Sequence, residues 1–354
     1  MMTLAYIAVG IYIIALVYIT FYCLLQFHLL YYYKKKKQPF SQLGLRDNLP
    51  MVTIQLPIFN ELYVAERLID NIVQMDYPKD RLQIQVLDDS TDDTATLTKR
   101  KVAQYAARGY DIEWIHRSDR SGYKAGALKA AMPQVKGSFI AIFDADFLPH
   151  PDFLQKTIPH FEDPKVGVVQ SRWEHINENY SLITRLQAMQ LNVHFRVEQT
   201  GRAKGNCLLQ FNGTAGVWRK ETIDDAGGWE ADTLTEDLDL SYRAQLKGWR
   251  IHYLEDLGSP AELPAEMNGL KSQQFRWMKG GAENARKLIP AVLRSTDLSL
   301  RQKIHAVGHL LASTIYLFIF LAGVFSVPLL LSLQQLGLNT KYFAIFLSSM
   351  ASII

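Results

Sequence analysis

A chain of 354 residues with 48% hydrophobic content can hold one large domain or two modest ones and still supply membrane segments. Its formal charge of +3 is small and spread along the chain, which removes the electrostatic ground for a nucleic-acid partner. Only two cysteines, Cys23 and Cys207, argue against a disulfide framework or a Cys-rich zinc site, and the nine histidines are read as structural rather than metal-binding.

Residues 1–33 carry no Asp, Glu, Lys or Arg, and about 20 apolar residues suffice for a helix to cross a bilayer. A cleaved signal peptide would need a basic start, a short apolar region and small residues at a cleavage site, and the stretch has none of these. It is expected to be a transmembrane helix. Tyr31, Tyr32 and Tyr33 read as an interfacial aromatic belt, and the lysines at 34–37 as a positive-inside stop. The basic linker 34–50 and the domain after it are therefore expected in the cytosol.

Strand-like and helix-like runs alternate over 51–289, the pattern of an α/β domain with a mostly parallel sheet. Apolar runs at 52–56, 84–87 and 139–143 end in polar or acidic residues: Pro57 to Asn60 before a helix expected from Glu61, then Asp88 and Asp89, then Asp144 and Asp146. Open parallel sheets bind ligands at the carboxyl ends of their strands, so these ends point to one cleft. Asp144 and Asp146 would project to the same side if the strand continued that far. Two carboxylates suit one Mg2+ or Mn2+ ion bridging to a diphosphate, although an isolated Asp-x-Asp more often decorates a turn.

In the run Asp88-Asp89-Ser90-Thr91-Asp92-Asp93, the first two acids are assigned to ligand contact, and Asp92 and Asp93 to capping the next helix. Thr235-Glu236-Asp237-Leu238-Asp239 opens a predicted helix toward Gly248, with Leu238, Tyr242 and Leu246 on one face; alone, these acids read as helix-start charges. Gln273-Gln274-Phe275-Arg276-Trp277 joins a cation able to clamp phosphate to an indole able to stack on a sugar, and by itself would pass for a helix surface.

The segment 290–305 fits an amphipathic interface helix or an ordinary cytosolic one. Residues 306–333, preceded by Arg294, Arg301 and Lys303, form a second expected span entered from the cytosolic side. The apolar stretch 342–354 is too short to cross and is expected to begin a further transmembrane segment.

These clusters, in this order, resemble the Asp, Asp-x-Asp, Thr-Glu-Asp and Gln-x-x-Arg-Trp signatures of family 2 glycosyltransferases of the cellulose synthase superfamily. Four strings carry a closer resemblance: Gln85-Val86-Leu87-Asp88-Asp89-Ser90, Gly122-Tyr123-Lys124-Ala125-Gly126, Ala141-Ile142-Phe143-Asp144-Ala145-Asp146-Phe147 and Phe211-Asn212-Gly213-Thr214-Ala215-Gly216-Val217-Trp218-Arg219. They look like the plant cellulose-synthase-like A and C types, makers of β-1,4-mannan or glucomannan and of the xyloglucan backbone glucan.

The resemblance implies a GT-A-like, Rossmann-like domain inserted between transmembrane helices. The implied protein is integral to the plasma, inner or Golgi membrane, with its catalytic domain in the cytosol. By the same resemblance Asp88, Asp89, Lys124, Asp144, Gln273 and Arg276 bind the nucleotide sugar, and Asp144 and Asp146 hold Mg2+ or Mn2+. Asp237 is the implied general base, and Trp277, Phe211, Asn212, Gly213, Thr214 and Glu236 meet the acceptor. The implied reaction is an inverting transfer of a hexose from UDP-glucose or GDP-mannose to the end of a growing β-1,4-glucan, mannan or glucomannan. Implied partners are the donor, a glycan acceptor, the lipid bilayer and other synthase subunits. Two alternatives are a ceramide-type lipid glucosyltransferase and a catalytically inactive membrane subunit of a synthase complex.

Overall fold

The computed structural model describes residues 2–35, 49–337 and 341. Its strands, in chain order, are β1 (Val52–Ile58), β2 (Leu82–Asp88), β3 (Asp111–His116), β4 (Phe139–Ile142), β5 (Val166–His175), β6 (Gly216–Arg219) and β7 (Arg250–Ala261). The helices are α1 (Met2–Lys34), α2 (Ala65–Ile72), α3 (Thr94–Ala106), α4 (Tyr123–Ala131), α5 (Phe153–Thr157), α6 (Leu182–Asn192), α7 (Thr200–Lys204), α8 (Lys220–Asp225), α9 (Glu236–Leu246), α10 (Met267–Arg294), α11 (Leu300–Leu310) and α12 (Ile315–Gln335). A π-helical turn, Val193–Gln199, joins α6 to α7.

One sheet holds all seven strands in the order β3-β2-β1-β4-β6-β5-β7. The pairs β1–β2, β2–β3, β1–β4 and β5–β7 are parallel, and β6 runs antiparallel to both β4 and β5. The sheet is thus mostly parallel, as expected, with one reversed strand.

Period-two alternation decides which face each residue takes. Val52, Ile54 and Leu56 of β1 pack in a core with Leu68 and Ile72 of α2 and Val102 of α3. The intervening Thr53 and Gln55 are also buried and form a polar ladder across the strands: Thr53 Oγ1 donates to Gln83 Oε1 (2.7 Å), and Gln55 Nε2 to Gln85 Oε1 (3.0 Å). Side chains of α4, α8 and α9 build a second core around Ile140, Ile142 and Trp218. Burying one such aliphatic side chain contributes about 1.5–3 kcal/mol, so the two cores fix the strand ends that carry the polar residues.

Three local expectations shift. The helix expected from Glu61 starts at Ala65, because the Glu61 carbonyl accepts from the N–H groups of both Val64 and Ala65 and first closes a turn. The strand expected through Phe143 stops at Ile142, so Asp144 and Asp146 lie in a turn closed by the Phe147 N–H on the Asp144 carbonyl (3.1 Å). The single helix expected over 290–305 is instead the end of α10 and the start of α11, divided by a capping box between Ser299 and Gln302. Leu288, Val292, Ala306 and Leu310 there pack against Leu238 and Tyr242 of α9.

Among the described residues, two helices are long and apolar enough to cross a membrane, Met2–Lys34 and Ala312–Leu333. They pack together through Tyr12, Leu16, Leu329 and Leu333. Most of the linker 34–50 and the stretch 342–354 lie outside the described residues.

Candidate active site

The carboxyl ends of β1, β2 and β4, the loop entering β6 and the first turn of α9 meet on one edge of the sheet. The Asp144 N–H donates to Thr214 Oγ1 (2.8 Å), which ties the turn after β4 to the loop before β6. Lys124, in the first turn of α4, donates from Nζ to the Asp144 carboxylate and to the Gly213 carbonyl (2.9 Å). Gly213 has φ +79°, and a Cβ there would stand 3.2 Å from Asp237 Oδ2 and 3.5 Å from Lys124 Nζ. Only a glycine serves at this position, since it takes the left-handed conformation and leaves room between base and cation. The Gln210 side chain lies close enough to favour the ionised form of the Asp237 carboxyl.

The charges of this cleft are mutually dependent. Burial works against the charge of Lys124, but Asp144, Glu236 and Asp237 outweigh it and raise its pKa. Burial pushes the Asp146 carboxyl up to about 7, and the charges of Asp144 and Glu61 add to the shift. Glu236 and Asp237 are raised as well, first by burial and then by nearby carboxylates. Glu61, at the end of β1, is raised by burial, Asp144 and Asp92, while Arg276 opposes the shift. Carboxyls that cannot all ionise together are the donor set a hard divalent cation favours, so Asp144 and Asp146 fit Mg2+ or Mn2+.

Asp88 and Asp89, expected at the donor, are each held by partners within the chain. Asp88 is fully buried; its Oδ1 accepts from the Ser90 N–H (2.8 Å), and its Oδ2 from Thr98 Oγ1 (2.5 Å) and Trp114 Nε1 (3.0 Å). Burial alone would raise its pKa, but these hydrogen bonds outweigh that and hold it low. Both Asp89 oxygens are taken by Arg117, whose guanidinium also donates to the Ser121 and Tyr123 carbonyls and so braces the segment leading to Lys124. Neither acid presents a free carboxylate. Of the two expected caps, Asp92 accepts from the Thr94 N–H (3.0 Å), whereas Asp93 sits at the N-cap without a side-chain bond.

The segment 211–214 is divided in role. The Phe211 ring is fully buried against Trp218, so the expected acceptor contact can come only from its main chain. Thr214 is buried and committed to Asp144, Asn212 is buried against Gln199 and Gln170, and Gly213 lies beside Asp237.

Gln273, Arg276 and Trp277 ride on α10, with Arg276 exposed and near enough to Glu61 and Arg120 to influence their ionisation. Two residues that the sequence reading missed dock this helix. A Cβ on Gly280 would lie 2.5 Å from Thr235 Oγ1 and 2.8 Å from the Thr235 nitrogen, so α10 touches the start of α9 at that point. Asn284 is buried and donates from Nδ2 to the Thr235 carbonyl (3.0 Å) and hydroxyl (2.9 Å). The glycine pair Gly280-Gly281 soon after Trp277 was the available signal, since glycine inside a helix needs a packing reason. Another acidic group, Glu230, Asp232 and Asp239, gathers its oxygens within 4.8 Å, but Lys287 Nζ already bridges all three at 2.6, 2.8 and 2.9 Å.

A mixed α/β sheet with paired acids in the turn after a central strand, a lysine against them and a helix-start carboxylate opposite defines a GT-A-like glycosyltransferase domain. The chain belongs to glycosyltransferase family 2, within the cellulose synthase superfamily: the description "Glycosyltransferase like family 2" fits residues 50–280. Glucomannan 4-beta-mannosyltransferase 7 of Arabidopsis thaliana is 43% identical over 259 residues, 72% of this chain and 47% of the relative. Glucomannan 4-beta-mannosyltransferase 1 of Oryza sativa subsp. japonica is 41% identical over 263 residues, 73% of this chain and 50% of the relative. The chain thus spans about half the length of these curated relatives.

The mannosyltransferase PcManGT from Pyrobaculum calidifontis, solved with GDP-Man and Mn2+, matches 100% of this chain and 92% of its own, with a TM-score of 0.64 at 19% identity. S. aureus TarS 1-349 in complex with UDP-GlcNAc matches 75% of this chain and 73% of its own, with a TM-score of 0.55 at 16% identity. These likenesses show the fold. The expected family and fold are borne out.

Proposed function

We propose that this glycosyltransferase moves mannose from GDP-mannose to the end of a β-1,4-linked glycan at the cytosolic face of a membrane. The observation that carries the reading is the convergence of Lys124, Asp144 and Asp237 on Gly213, which sets a donor-side cation and a proton acceptor on either side of one glycine. The choice of mannose rests on what the similar plant enzymes and the Pyrobaculum enzyme are named for.

In this reading Asp144 and Asp146 hold Mg2+ or Mn2+, which supplies charge neutralisation at the donor diphosphate. Lys124 pins the Asp144 side chain. Arg276, exposed on α10, is free to clamp a phosphate oxygen, and Gln273 lies one helical turn before it. Asp237 takes the proton of the acceptor hydroxyl as that oxygen attacks the anomeric carbon, so an α-linked donor yields a β-linked product. Trp277 stacks on the acceptor end. The helices at 2–34 and 312–333 anchor the domain in the bilayer.

The test is a donor panel on membranes that hold the full-length protein, with GDP-mannose, UDP-glucose and UDP-N-acetylglucosamine in Mg2+ or Mn2+. Product from GDP-mannose that β-mannanase degrades is expected. Product that appears only from UDP-glucose and yields only to β-glucanase, or a single sugar on lipid, would overturn the reading.

A further inference from the structure

The turn that carries Asp144 and Asp146 is not held by β4 alone. Phe147 pairs with Ala261 in an antiparallel bridge, the Leu148 N–H donates to the Pro260 carbonyl (2.8 Å), and the Glu262 N–H donates to the Asp146 carbonyl (3.2 Å). The Phe147 ring is buried edge-on against Trp173 of β5, with the ring centroids 5.2 Å apart. Residues 260–262, where β7 ends, thus lie along the acid turn as a short strap.

The strap is fastened in turn by the residues that follow β5. The Ile176 N–H donates to the Ala261 carbonyl (2.9 Å). Asn177 commits both ends of its amide to one residue: Nδ2 donates to the Leu263 carbonyl (2.8 Å), and Oδ1 accepts from the Leu263 N–H (2.8 Å). One residue further on, Gln187 of α6 donates from Nε2 to the Pro264 carbonyl (2.9 Å), and α10, which carries Arg276, begins at Met267. The Glu262 side chain takes no part in this main-chain path. It pairs with Arg67 of α2 (2.6 Å), and both partners are more than a third exposed, where an ion pair contributes little.

We infer that Asn177 is a positioning residue for the divalent-cation site, acting through Leu263 and the Glu262 N–H to fix the Asp146 main chain and, with it, the paired carboxylates. The cation at these acids rests on the proposed function; the strap and its fastening do not. Two carboxylates serve one ion only when each is held to within about 0.5 Å of its place. Groups that orient metal ligands without touching the metal govern its affinity by about tenfold or more. No covalent step is involved.

The test is a Mn2+ titration of the full-length protein in nanodiscs of uncharged lipid, with free Mn2+ followed by electron paramagnetic resonance. Asn177→Ala is expected to weaken Mn2+ binding about tenfold. Asn177→Asp keeps the size of the side chain but sets an oxygen against the Leu263 carbonyl, and should weaken binding likewise. Glu262→Ala leaves the main-chain strap in place and should change it by about threefold at most. Amide exchange at Leu148 should quicken in both Asn177 variants, while that of the buried Val86 in β2 keeps its wild-type rate. Unaltered Mn2+ affinity in the two Asn177 variants overturns the inference whatever their melting temperature, since a merely structural amide would lower stability alone. A loss in Glu262→Ala as large as that in Asn177→Ala also overturns it, because the path would then run through the carboxylate. Failure of the functional reading looks different: wild type would bind Mn2+ no more tightly than Asp146→Asn, which removes the cation site and the inference with it.

Discussion

Lys124 is an ammonium set against Asp144, Glu236 and Asp237, and burial would otherwise keep the last two protonated. Its loss should be read first at Asp237. That carboxyl must be ionised to accept a proton, and its pKa is raised, so kcat/KM is expected to rise with pH across a limb above the ordinary carboxylate range. Lys124→Gln removes a charge that lowers this pKa, and should move the limb to higher pH. A limb that stays in place in a pH–rate profile would disprove the coupling. Asp237→Asn should cut kcat by about 10²- to 10⁴-fold with GDP affinity little changed, as measured by single turnover and nucleotide titration. At this scale Asp144, Asp146 and Asp237 were legible because each follows an apolar strand or opens a helix in a fixed order. The hydrogen bonds that hold Asp88 were not, because its partners Thr98 and Trp114 come from separate elements.

The helix α10 transmits position to the site through a close contact at Gly280. Gly280 lets it lie against Thr235, one residue before Glu236, and Asn284 fastens it there. Gly280→Ala would drive a methyl to 2.8 Å of the Thr235 nitrogen. Overpacking of this kind costs about 1–3 kcal/mol, and the shift would reach both Asp237 and Arg276. Thermal unfolding should show the loss of stability, and steady-state kinetics a fall in kcat larger than that at a control glycine such as Gly269, which meets only Pro264 Cβ at 3.4 Å. Equal effects at the two positions would rule out a special contact. The sequence announced α10 through its Gln-x-x-Arg-Trp run, but not the partner of its glycine. Close approach between helices depends on three-dimensional register, which a local pattern does not encode.

Across the whole molecule, the catalytic domain is joined to α1 as closely as α10 is to α9. A Cβ on Gly201 of α7 would come within 2.5 Å of the Leu29 carbonyl, and His28 Nδ1 meets His305 Nε2 at 2.8 Å. Both long apolar helices were legible from their charge-free runs; this docking was not, because it relies on small residues and paired histidines that carry no periodic signal.

The acidic cleft also leaves a mark on global stability, and its sign can be worked out. Asp146, raised to about 7, keeps in the folded state a proton that the unfolded chain releases near pH 4. A folded state that binds more protons loses stability as pH rises, here between about 4 and 7. Buried histidines act oppositely. His160 and His305, both lowered to about 4, add stability as pH rises toward about 6.5, so the raw melting curve mixes the two effects. The increment produced by Mn2+ separates them, because the ion requires ionised carboxylates. Without Mn2+, Asp146→Asn should gain stability relative to wild type on going from about pH 5.5 to about pH 7.5, since the variant has no raised acid to ionise. With Mn2+ in excess, wild type should gain more in melting temperature at the higher pH, and Asp146→Asn should lose most of that gain. A Mn2+ increment that is the same at both pH values would mean that the ion is not held by these carboxyls.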